Sequence, residues 1–167
     1  MCMKYITAIF FLVLVSCQPR QAKEFDVFLD STERKVYRIL VGDSADDMRL
    51  KALIENKPDL AFSIGKRQAN ELSGVIREIE RADVNDIKEA KELKQASIQY
   101  YQGLLDLKNV DILEAELMKA GMAKARKTES DTLSFPRKRL EIHRIISQRD
   151  EAMHRARSRF EEANDLQ

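Results

Sequence analysis

The side chains able to do chemistry are few and widely spaced. His143 and His154 lie eleven residues apart, which on one helix puts them on about the same face but roughly 16 Å from each other, too far to share a metal ion. Asp150 and His154 have the four-residue spacing of a two-ligand metal site, and equally that of an ordinary exposed helix pair, the commoner source of such spacing. After residue 17 there is no HExxH, no glycine-rich phosphate loop, no GxSxG and no paired-cysteine site. The sequence therefore supplies no catalytic, cofactor-binding or metal-binding constellation, and the expectation is a protein that is not an enzyme.

Positive charge is more concentrated. From Arg137 to Arg159 eight Arg or Lys stand against Glu141, Asp150 and Glu151. Such a helix either contacts an anionic lipid headgroup, an acidic glycan, a small anionic ligand or an acidic partner, with Arg137, Lys138, Arg139 and Arg144 as contacts, or pairs with Glu78, Glu80, Asp83, Glu89 and Glu92 on neighbouring helices. Tyr100 lies on an apolar seam that reads as core. Tyr101, with Ile98, Leu105 and Ile112, forms a second apolar edge that either buries a further helix or stays open for a partner.

One cysteine has a distinctive setting. Lys4 precedes the uncharged run Ile6 to Val15, and Leu14-Val15-Ser16-Cys17 follows without a gap. Ten apolar residues rise only about 15 Å as a helix, half of a bilayer core, so the run fits an export signal better than a membrane span. Leu14, Val15, Ser16 and Cys17 resemble the lipobox of bacterial lipoproteins: an aliphatic residue, a small or aliphatic one, a small one, then cysteine. The resemblance covers residues 1–17 only. It implies a diacylglyceryl group on the Cys17 thiol, cleavage before Cys17 and an N-acyl chain on the new terminus. Two or three acyl chains hold a protein to a membrane almost permanently, at about 0.8 kcal/mol per buried methylene. A conventionally cleaved signal leaving Cys17 as a free thiol, or an uncleaved anchor, is the competing reading. With Gln18 rather than Asp after the cysteine, enteric-type sorting implies the outer membrane if the cell has two membranes.

Under this reading residues 1–16 drop out of the fold. They take Lys4 from the 29 basic residues and nothing from the 28 acidic ones, so the remainder is charge-balanced. Cys2 goes with them, leaving one blocked cysteine and no internal disulfide. Export also makes nucleic acid an improbable partner for the basic helix.

The elements that must position these residues read as helices throughout, given five Gly, three Pro, no Trp and 34% charged residues. Residues 17–25 are expected to be a lipidated polar tether and 26–167 a single helical domain. Asp30-Ser31-Thr32-Glu33 has the form of a helix start and Gly42 of a stop; Ser44 to Asp47 opens a second short helix through Met48, Leu50, Ala52, Leu53 and Ile54, and Pro58 either ends it or opens the next. A third helix covers about 58–82, with Gly65 and Gly74 marking either a close helix contact or a bend. Asp83 to Asp86 is a break. A long helix follows from Ile87 to Lys127, with a three-and-three step near Asn109 that either bends it or moves its seam. A loop spans Lys127 to Phe135, Ser134 is a candidate cap, and the last helix carries the seam Ile142, Ile146, Arg149, Met153, Ala156, Phe160, Ala163. The expected fold is an all-α, elongated antiparallel helical bundle, or helical hairpin, with two short N-terminal helices. The expected role is that of a membrane-anchored envelope lipoprotein acting through protein contacts, as an assembly accessory, adaptor or structural element; the alternative is an anion-binding module on the basic helix.

Overall fold

The computed structural model describes residues 18–121 and 134–166. Five α-helices account for nearly all of them: α1 (Gln18–Val41), α2 (Ala45–Ile54), α3 (Pro58–Arg81), α4 (Ala90–Lys119) and α5 (Ser134–Ala163), with a 3-10 turn, Gly42–Ser44, between α1 and α2. No strand occurs among the described residues. The signal-like segment, with Leu14, Val15, Ser16 and Cys17, lies outside them, as do residues 122–133, which take in the expected end of the long helix at Lys127 and most of the expected loop before Phe135.

Cross-helix contacts define an up-down-up-down bundle. Lys35 meets Glu78 and Gln68 meets the Ile39 carbonyl, so α1 and α3 are antiparallel. Lys94 reaches the Ala82 carbonyl while Gly65 sits on Ile112, which sets α3 antiparallel to α4. Arg139 contacts Glu114 and Arg159 contacts Glu89, so α5 runs antiparallel to α4. Phe25 packs edge-on against Phe160, closing α1 onto α5. The all-helical bundle is thus the expected one.

The N-terminal part is more extensive than the sequence reading allowed. α2 is short, but α1 is 24 residues long and a full member of the bundle. Residues 18–25, expected to be tether, are its first turns, and Ala22 and Phe25 are buried. The reason is a seam that runs straight through them: Ala22, Phe25, Leu29, Thr32, Val36 and Ile39 alternate steps of three and four and all are buried. The supposed helix start at Asp30–Glu33 is mid-helix, where the Ser31 and Thr32 hydroxyls donate back to the Phe28 carbonyl at 2.8 and 2.9 Å. Cap-forming side chains are satisfied internally there instead of ending the helix.

Other punctuation agrees with the structure. Gly42 follows the end of α1 and Pro58 takes the first turn of α3, where its missing N–H costs nothing. α2 ends in a Schellman arrangement: Lys57 N–H donates to the Ala52 carbonyl at 2.7 Å, Asn56 N–H to Leu53 at 3.1 Å, and Asn56 takes the left-handed conformation, φ 57°. Ser44, read as a cap, instead adopts φ 53° and makes no side-chain cap. α4 runs unbroken through Asn109.

Three apolar clusters stack along the bundle. One joins Phe25 and Leu29 to Val84, Leu93 and Phe160; the middle one joins Val36 and Ile39 to Leu72, Val75, Ile79, Tyr101 and Leu104; the third is only Ala52, Ala61 and Ala115. Fully buried Leu72, Ile79 and Phe160 contribute on the order of 1.5–3 kcal/mol each. The thinning of the core from large residues to alanines is what shapes the end of the molecule where α2 sits.

Candidate functional site

α2 is turned inside out. Its inward residues are Ala45, Arg49 and Ala52, while Met48, Leu50 and Ile54, which the sequence suggests as core, face solvent; Ile54 is 85% exposed. Half-buried Leu53 adds to the apolar contact of the two alanines, and the rest of the inner face is taken by charge.

Arg49 is buried under α2 and approaches Asp111 at 3.4 Å, Asp46 at 3.8 Å and Glu114 at 3.9 Å. Lys108, also buried, pairs with Asp46 at 2.7 Å and Asp111 at 3.2 Å. Arg139 of α5 completes the group with Asp111 at 2.9 Å and a two-pronged contact with Glu114 at 2.6 and 3.3 Å. Three cations and three carboxylates from α2, α4 and α5 thus neutralise one another. The hydrogen bond that Arg139 donates to the Glu114 carboxylate is the main reason its guanidinium holds its proton more tightly than a free arginine. Gln68 of α3 joins through its amide, which donates to the Ile39 carbonyl at 3.1 Å and to Asp46 at 3.4 Å. The buried Arg49 Nε and Nη1 and Gln68 Oε1 make no hydrogen bond, so Arg49 is held by charge more than by directed bonds.

Outside this cluster α2 presents an apolar surface. Met48 and Ala52 face Leu60 and Ile64 of α3 across an open groove of about 600 Å³, rimmed by Lys51 and Arg67. Leu50 and Ile54 lie on the helix's outermost stripe. Tyr37 and Val41 near the end of α1 are exposed as well.

The basic helix is largely spoken for. Arg139 belongs to the buried cluster, and Arg157 is gripped by Asp26, Asp30, Glu33 and Glu161. Burial opposes the Arg157 charge, but hydrogen bonds and the fields of Asp26 and Asp30 outweigh it and raise its proton affinity. Arg149 donates to the Gln99 carbonyl at 3.0 Å and lies 3.9 Å from Asp106. Arg159 meets Glu89, one of the acids expected to pair with this helix; Arg144 meets Glu141 on its own helix; Arg137 and Lys138 are exposed. The four proposed anion contacts, Arg137, Lys138, Arg139 and Arg144, therefore do not form one free patch.

The second apolar edge of α4 is covered. Tyr101 is 3% exposed, Ile112 is buried, and Ile98 and Leu105 pack against the middle core, so Tyr101 and Leu105 are structural contacts to α1 and α3 and not an open partner surface. Burial raises the Tyr100 and Tyr101 phenols above the ordinary tyrosine range. Asp150 and His154 form an exposed pair at 3.6 Å. Among the described residues no group of three or more His, Cys, Asp or Glu is placed to hold a metal, and no helix is long and apolar enough to cross a membrane.

Sequence reading missed the ionic cluster and the four acids around Arg157. Only the spacing of Lys108, Asp111 and Glu114 on one face of α4 hinted at the first; the other members come from distant segments. Comparison with protein-family models, with curated proteins and with solved structures finds no match to this chain.

Proposed function

We propose that the protein is a membrane-anchored bacterial envelope lipoprotein that acts by protein contact, without catalysis. The observation that carries this is Leu14-Val15-Ser16-Cys17 at the end of the charged start and apolar run. Gln18 after Cys17 favours the outer membrane where there are two. The contact surface is the α2 end, where Met48, Leu50, Ile54 and Leu60 are exposed. The anion-binding alternative has less support, because Arg139, Arg149, Arg157 and Arg159 already face partners on other helices.

Metabolic labelling with a fatty acid tests the anchor. The wild-type chain is labelled and stays with membranes; Cys17→Ala loses both properties. Continued labelling of Cys17→Ala refutes the assignment.

A further inference from the structure

The outward stripe of α2 has a charge order that selects its occupant. Asp47, Leu50 and Ile54 follow one another on α2 in steps of three and four, the spacing of a helix-pairing seam, and Lys57 stands just beyond, where the chain has left the helix. Asp47 lies in the first turn of α2, Leu50 and Ile54 on its body, and Lys57 immediately after its Schellman end. All four are exposed. Asp47 has no ion-pair partner among the described residues, and Lys57 meets only exposed Glu55, at 2.7 Å. The acid stands at one end of the stripe, the base at the other, and the two aliphatic residues between them.

Laid antiparallel against itself about Ala52, this order of acid, two aliphatic residues and base is complementary from end to end. Asp47 meets the second copy's Lys57, Leu50 meets Ile54, Ile54 meets Leu50 and Lys57 meets Asp47. The helix dipoles also run in opposite directions, the arrangement that two side-by-side dipoles prefer. A parallel pairing would set Asp47 on Asp47 and Lys57 on Lys57, so the charges choose both the partner and its direction. A wholly acidic or wholly basic partner would be rejected at one end of the stripe.

The geometry points to α2 as the two-fold interface of a homodimer, with a second copy of this chain as the occupant of the exposed face. This rests on the reading of the protein as one that acts by contact, and names the partner; it does not depend on lipid at Cys17. Three helical turns bury less than the roughly 1,200 Å² of a stable interface, so the pairing is weak unless the groove beside Met48 and Leu60 also contributes.

Two tagged forms of the full chain, Leu50→Cys and Ile54→Cys, are co-expressed and treated in intact cells with a short thiol-to-thiol crosslinker; the chain without added cysteine is the control. The expected product is a mixed dimer several-fold above that control. Asp47→Lys removes it, Lys57→Asp removes it, and both changes together restore it. All four positions are exposed, so loss through misfolding is separated by the restoration in the double variant. A crosslink to a different protein at positions 50 and 54 overturns the homodimer and leaves the contact reading standing. No crosslink to any protein at either position overturns both, and a mixed dimer indifferent to the charge changes overturns the antiparallel register.

Discussion

Asp111 touches all three cations of the buried cluster, Arg49, Lys108 and Arg139, and is itself 2% exposed. Charges taken out of water are costly, and their attraction repays the cost only while every member is present. Asp111→Ala strands Arg49 and Lys108 in a site that water reaches poorly, and should destabilise the protein by about 3–5 kcal/mol in denaturant unfolding. Replacing Arg49, Lys108 and Asp111 together by Met, Met and Leu removes the charges that need pairing. That triple variant should lose far less stability than Asp111→Ala alone, or gain some. If both variants lose equally, the cluster is stabilising in its own right, and the desolvation argument fails. What the charges then confer is placement: carboxylates and cations from three helices admit one seating of α2, where a pad of alanines would admit several.

At the scale of elements, two glycines set how closely helices approach. A Cβ on Gly103 would lie 3.0 Å from Ile146 Cγ1 and 3.4 Å from Arg149 Nη1, and one on Gly65 would lie 3.1 Å from Ile112 Cγ1. Gly74 has nothing nearer than the tip of Arg77 at 4.0 Å. Gly103→Ala should therefore cost about 1–3 kcal/mol through overpacking. Gly74→Ala should instead stabilise α3 by about 0.5–1 kcal/mol, because alanine gives up less backbone freedom in a helix. Thermal unfolding of the two variants checks the opposite signs. Sequence spacing made Gly65 and Gly74 look alike; only the neighbouring helix distinguishes them. The same limit explains the rest of the sequence reading. Gly42, Pro58 and the Asp83–Asp86 break act through local backbone chemistry and were legible. The seam from Ala22 to Ile39 was also written in the sequence, but the polar residues between its members and the cap-like Asp30–Glu33 obscured it. α2 was unreadable for a different reason: its apolar residues do not mark its inner face, because that face is charged and its counter-charges lie sixty or more residues away, as Lys108 does from Asp46.

For the whole molecule, the most consequential feature is that the residues from Gln18 on are already helical, as part of α1. A flexible tether would let a lipid-anchored domain take any orientation, whereas a helix continuous with the bundle would give a chain lipidated at Cys17 a membrane-facing end. That end comprises the first turns of α1, the 82–89 connection and the end of α5, which meet in the cluster of Phe25, Val84 and Phe160. α2 lies at the other end, a distance of one 24-residue helix, about 36 Å, away. If Cys17 carries lipid, a fluorophore on Lys88→Cys should be strongly quenched by a headgroup-attached quencher, and one on Ile54→Cys should be nearly unaffected. Both positions are on the surface, so the labels should leave the fold intact. Equal quenching at the two sites would mean that the bundle lies along the membrane and that α1 does not hold its orientation. Quenching at neither, with fatty acid still on Cys17, would mean that residues before Ala22 unwind into a spacer. The expected pattern leaves the α2 stripe clear of the membrane, where a second copy can reach it.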